Sequence, residues 1–126
     1  LALPGLAVAQ ALVPCERIEG TTRPDIMPAT RHEALVDGGG LRRIVLTLQN
    51  GTRSTTDLEP IGNGVSVRLL AFPDPQRPDR YRAVFNRAVA EPGGTFLVET
   101  FLRGADEPVP RANWYRLRCA AGAATK

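Results

Sequence analysis

The chain has 126 residues, enough for one domain around one core. Hydrophobic residues make up 43% of it, which argues against wholesale disorder, and 12 Gly and 11 Pro spread along its length favour short elements joined by turns over long helices. The formal net charge is +3, with acidic residues interleaved among the arginines, so no dense basic stripe of the kind that grips nucleic acid is present.

Residues 1–13 read LALPGLAVAQALV and carry no charge. Ala9-Gln10-Ala11 fits the small-x-small pattern before a signal-peptidase cut. The segment is shorter than the about 20 residues a membrane-crossing helix needs, so no transmembrane span is expected. Pro14 directly before Cys15 argues against acylation of that cysteine. In extended form Leu6, Val8 and Leu12 share one face and Ala7, Ala9 and Ala11 the other. The segment therefore reads as a signal remnant, as a strand of the domain's own sheet, or as an intersubunit strand laid on a neighbouring copy.

The only cysteines are Cys15 and Cys119. In an oxidising compartment such a pair reads as one disulfide closing a loop of about a hundred residues. Between them the strands follow in order. A short one begins at Cys15, and Arg23–Ala29, with two prolines, reads as a loop. Arg31–Val36 alternates His32, Ala34 and Val36 against Glu33 and Leu35. Asp37-Gly38-Gly39-Gly40 is a turn, and Leu41–Gln49 is a strand in which Ile44, Leu46 and Leu48 alternate with Val45, Thr47 and Gln49. Asn50-Gly51 and Asn63-Gly64 are hairpin signals, because both residue types tolerate positive φ. Between them Thr52–Ile61 reads as a polar edge strand limited by Pro60. Val65–Phe72 is a further strand, and Pro73–Asp79 a proline-rich loop. Arg80–Ala90 fits a short helix by period, yet its strand-like neighbours favour a bent strand. Gly93–Gly104 (GGTFLVETFLRG), bounded by glycines and apolar on both faces, reads as a central buried strand. Ala105–Pro110 is a loop. In Asn113–Cys119, Tyr115, Leu117 and Cys119 alternate with Trp114, Arg116 and Arg118, which places Cys119 on the apolar side.

This is an all-β pattern: a single-domain antiparallel β-sandwich, immunoglobulin-like, or a small barrel, with about seven strands at 8–12-residue spacing and a short helix at 80–90 as the alternative. The domain runs from 14 to 119, with the apolar segment 1–13 before it and a small-residue tail, 120–126, after it.

For catalysis the residues offer little. One histidine (His32) and two paired cysteines do not make a zinc site, and Met27 with His32 is a weak copper signal. Ser54 and Ser66 lie in no nucleophile elbow. The carboxylate pairs Asp57/Glu59 and Asp106/Glu107 sit in loop or edge segments, where solvated carboxylates are the better reading. No cofactor is implied. Two features point to recognition: the column Trp114, Arg116 and Arg118, of residue types enriched in binding hot spots, and the Leu6/Val8/Leu12 face. The expectation is a non-enzymatic, extracytoplasmic structural or interaction protein, its partners copies of itself or other envelope subunits. The alternative is a monomeric periplasmic binding or inhibitor module.

Overall fold

The structure is a computed structural model that describes residues 11–21, 28–104 and 111–120. The described residues form nine strands where about seven were expected: β1 (Val13–Gly20), β2 (Ala29–Asp37), β3 (Gly40–Leu48), β4 (Arg53–Asp57), β5 (Glu59–Gly62), β6 (Val65–Asp74), β7 (Arg77–Glu91), β8 (Thr95–Arg103) and β9 (Arg111–Cys119). All pair antiparallel in one sheet of order β4-β3-β2-β1-β9-β8-β7-β6-β5. The all-β expectation holds. Of the two closures it left open, the chain takes the barrel-like one: β1 to β4 and β5 to β9 each pair with their sequence neighbours, and the first and last strands join at β1–β9.

Closure on the opposite side runs through one bent segment. β4 pairs with β3 and β5 pairs with β6, and only Leu58 separates β4 from β5. The Leu58 N–H donates to the Arg42 carbonyl (2.8 Å) and its side chain is buried. The polar stretch 52–61 is thus an edge strand split in two by an inward leucine. Beyond Val67, β6 has no strand on its β5 side among the described residues, and the sheet is left nearly closed, with a seam between β4 and β6.

The period-2 alternation sorts side chains to the two faces. Inside lie Val13, Ala34, Val36, Leu41, Ile44, Leu58, Ala88, Phe96, Val98, Leu117 and Cys119, one continuous buried cluster. Gly40 and Ser66 let β3 approach β6 across this interior: a Cβ added at Gly40 would stand 3.3 Å from the Ser66 Oγ. Outside, arginine–carboxylate pairs brace neighbouring strands, among them Arg43–Asp57 and Arg87–Glu99, while Arg31–Glu33 lies within β2.

Several expectations change. The stretch 73–79 is not a loop: β6 runs to Asp74 and β7 starts at Arg77, with Asp74 accepting from the Gln76 N–H (2.9 Å) to close the turn. A side-chain cap of this kind lets a tight hairpin form where three prolines argue for irregular chain. Residues 80–90 are strand throughout. β8 is central, between β7 and β9, but buried on one face only: Phe96 and Val98 are enclosed while Leu97 and Phe101 are half-buried. A single-layer wall has no second sheet to cover its outside. At Asn63-Gly64 the hairpin signal is realised with positive φ at both residues (57° and 75°). The segments 1–10, 22–27, 105–110 and 121–126 lie outside the described residues, and with them Leu6, Val8, the Asp106/Glu107 pair and most of the tail.

Candidate binding surfaces

Cys15 and Cys119 face each other across the β1–β9 ladder and are disulfide-bonded, bridging a sequence separation of 104. This staple joins the two ends of the meander where the barrel closes.

The Trp114/Arg116/Arg118 column does lie on the outer face of β9, as the alternation implied. Its chemistry is largely internal. The Arg116 guanidinium stacks 5.5 Å from the Trp114 ring centroid, donates through Nε to Glu91 (2.9 Å), and reaches Glu19 through Nη1. These carboxylates raise the Arg116 pKa further, and the Arg116 hydrogen bond holds the Glu91 carboxyl below its ordinary value. A guanidinium shared between two strands and an indole is a brace across β1, β9 and the β7 end. Arg118 alone in the column is exposed. Leu12, the one described member of the N-terminal face, is half-buried beside β1.

Sequence reasoning missed the seam side. In the β6–β8 register Leu69 lies opposite Phe85, and Phe85 opposite Phe101, forming one cross-strand row on the outer face. The two phenyl rings are 6.1 Å apart and tilted by 32°. Leu69 is 71% exposed, and Ile61 on β5 is 64% exposed. Beside this row the seam opens as a groove of about 640 Å³ lined by Arg42, Asp57, Leu58, Val67, Arg68 and Leu69, among others. Arg68 spans it, donating to the Asp57 carbonyl (3.4 Å), and the Arg42 Nε is buried without an acceptor among the described residues. The signal was in the sequence: Val65, Val67, Leu69 and Ala71 are the more apolar face of their strand. Alternation cannot say that this face turns outward while Ser66 and Arg68 turn in.

A second cluster sits at the barrel end formed by the β3–β4 and β6–β7 hairpins. Register with buried Leu117 puts Arg17 on the inward parity at the rim, where its side chain is exposed. The Arg17 guanidinium lies 6.0 Å from the Tyr115 ring centroid and donates to the Thr21 carbonyl (2.7 Å). Tyr115 in turn stands 6.2 Å from the His32 ring. Burial pushes the Tyr115 phenol up to about 12; burial and the Arg17 charge hold the His32 imidazole below its usual value. Further along the same wall Thr100 donates to the Asn86 Oδ1 (2.9 Å). His32 was the histidine considered for catalysis. Its observed neighbours are an arginine and a tyrosine, while Ser66 is fully buried, its hydroxyl without a partner among the described residues.

Among the described residues no group of three or more His, Cys, Asp or Glu side chains is placed to hold a metal ion, and no helix is long and apolar enough to cross a membrane. Comparison of the chain with protein-family models, with curated proteins and with solved structures finds no match.

Proposed function

We propose that the chain is a non-enzymatic, extracytoplasmic interaction domain that meets a second copy of itself along the β6 edge. One observation carries this reading: Leu69, 71% exposed, stands on a strand whose far side has no partner beyond Val67 among the described residues. Open apolar edges recruit further strands unless charges or bulges blunt them. This edge carries one charge between Val67 and Phe72, at Arg68. It is also self-complementary. An antiparallel pairing centred on Leu69 would set Leu69 against Leu69, Val67 against Ala71 and Arg68 against Leu70, with no like charges opposed. The row Leu69–Phe85–Phe101 would then run unbroken from one copy into the next. The disulfide supports a location outside the reducing cytoplasm, where such bonds persist.

Sedimentation equilibrium of the intact chain tests this. The expected result is a concentration-dependent dimer that Leu69→Lys converts to a monomer with an unchanged circular-dichroism spectrum. A wild-type chain that stays monomeric to high concentration overturns the reading and favours the monomeric binding module. A dimer that survives Leu69→Lys but is lost on removing residues 1–10 also overturns it, and moves the contact to the face of Leu6 and Val8.

A further inference from the structure

The chain carries two Asn-Gly steps, Asn50-Gly51 and Asn63-Gly64, and the fold treats them differently. An asparagine followed by glycine can cyclise on its own backbone, because glycine leaves the following amide nitrogen unshielded by a side chain. Both asparagines are exposed at hairpin turns. At the first, the reacting groups are already engaged. The Thr52 N–H donates to the Asn50 Oδ1 (2.9 Å), and the Gly51 N–H donates to the Leu48 carbonyl (2.8 Å). Turning that nitrogen onto the Asn50 Cγ has to break the Leu48 bond and disturbs the one to Thr52. At the second, neither the Asn63 side chain, nor the Asn63 carbonyl, nor the Gly64 N–H has a hydrogen-bond partner among the described residues. The peptide joining the two residues is therefore held at neither end. Asn63 also sits at φ 57°, a left-handed conformation that costs a residue with a Cβ some strain.

We propose that Asn63 is a spontaneous deamidation site whose conversion releases β5, and that the fold protects Asn50 from the same reaction. The Gly64 nitrogen gives its proton to solvent base and attacks the Asn63 Cγ. The bond from Cγ to the side-chain nitrogen breaks, that nitrogen leaves as ammonia, and a five-membered imide remains. One water then opens the ring. Attack at Cγ leaves an ordinary aspartate. Attack at the main-chain carbonyl leaves an isoaspartate, whose backbone runs through Cβ and Cγ and is one methylene longer. No co-reactant other than water and base is needed.

That methylene falls in a two-residue turn with no room for it. A Cβ added at Gly64 would stand 2.9 Å from the Ala90 Cβ, and the Ala90 N–H donates to the Gly64 carbonyl (2.9 Å). The turn is thus fixed against β7 on one side and has to pass its extra length to β5 on the other. β5 is four residues long, every one of them exposed, and among the described residues it pairs only with β6. Its register, Glu59 opposite Val67 and Gly62 opposite Val65, follows from the turn. The Ala90–Gly64 bond fixes the alternation of the β6–β7 ladder and puts the Val65 and Val67 amides on the β5 side of β6. A longer turn frees β5, and those amides lose their cover.

The test is a peptide map of the intact, oxidised chain after storage at neutral pH and body temperature, with fresh chain digested in parallel as the baseline. Trypsin, which cuts after arginine, puts the two sites on separate peptides, 44–53 and 54–68. Deamidation adds about 1 Da and splits the product into an aspartate and an isoaspartate peak. Peptide 54–68 is expected to convert about tenfold or more faster than 44–53, the gap made by two hydrogen bonds that only one site has to break. In the unfolded, reduced chain the two should convert at similar rates, since both then present the same Asn-Gly step. The aged chain, separated from the fresh one by its added negative charge, should show faster amide exchange at β5 and at Val67, with β2 and β3 unchanged. Asn63→Asp carries the charge without the methylene and should keep Val67 protected. Equal conversion of the two sites in the folded chain, or faster loss at Asn50, would overturn the assignment of Asn63. An aged chain whose Val67 amide exchanges as slowly as in the fresh one, or an equal loosening in Asn63→Asp, would overturn the release of β5 by the longer turn.

Discussion

A histidine held below its ordinary pKa makes stability depend on pH in one direction. His32 is part-buried between Tyr115 and Arg17, and both burial and the arginine disfavour its protonated form. The folded chain therefore binds a proton less readily there than the unfolded chain does. Stability from this group is fully present above the unfolded value of about 6.5 and falls as pH drops through the folded one. Asp74 and Glu91 also titrate below their ordinary values, but those lie at 3.8 and 4.5 and leave the interval above pH 5 to His32. The urea midpoint is expected to fall between pH 7.5 and about 5.5, and His32→Gln should flatten that slope. An equally steep slope in the variant would assign the effect elsewhere. The sequence put His32 on one face with Ala34 and Val36, and the burial of those two makes it the inward face. It gave no sign of Arg17 as neighbour, because the alternation within a strand does not say which strand it pairs with or in what register.

Strands were legible wherever alternation was strong on both sides of a turn residue, as in β3, β6, β8 and β9. They were less so where the strand bends. β4 and β5 read as one polar edge because the break at Leu58 exists only to turn an inward side chain between two different partners. The outward apolar row on β6–β8 was unreadable for a related reason: period 2 separates two faces without naming the inner one. The β1–β9 junction shows how closely neighbouring elements are fitted. A Cβ added at Gly20 would stand 2.5 Å from the Tyr115 Cβ and 2.6 Å from the Trp114 carbonyl oxygen. Both neighbours are backbone or the root of a side chain, so neither can swing aside, and β1 would have to lift from β9. Gly20→Ala is expected to cost about 1–3 kcal/mol by urea unfolding, the range of overpacked sites. A change within about 0.5 kcal/mol would show that the end of β1 is looser than this contact implies.

At the scale of the whole molecule the fold is a chain of local hairpins plus one distant junction. From β1 to β4, and from β5 to β9, each strand meets its sequence neighbour, and only the β1–β9 ladder joins residues about a hundred apart. Forming that ladder costs the loop-closure entropy of nearly the entire described chain, and in all-β topologies such non-local pairing sets the folding rate. The Cys15–Cys119 bond lies inside this ladder and keeps its ends together in the unfolded chain. In the chain-entropy account a bridge of this span is worth about 4–5 kcal/mol, acting on the unfolded state. If closure of the ladder is the barrier, most of that difference belongs to folding and little to unfolding. Stopped-flow refolding of the oxidised chain should therefore outpace that of a chain with both cysteines replaced by alanine on the order of tenfold or more, with unfolding rates nearly equal. The opposite partition, equal refolding with faster unfolding of the variant, would mean that the hairpins assemble into a curved sheet first and the ends meet only after the barrier is crossed.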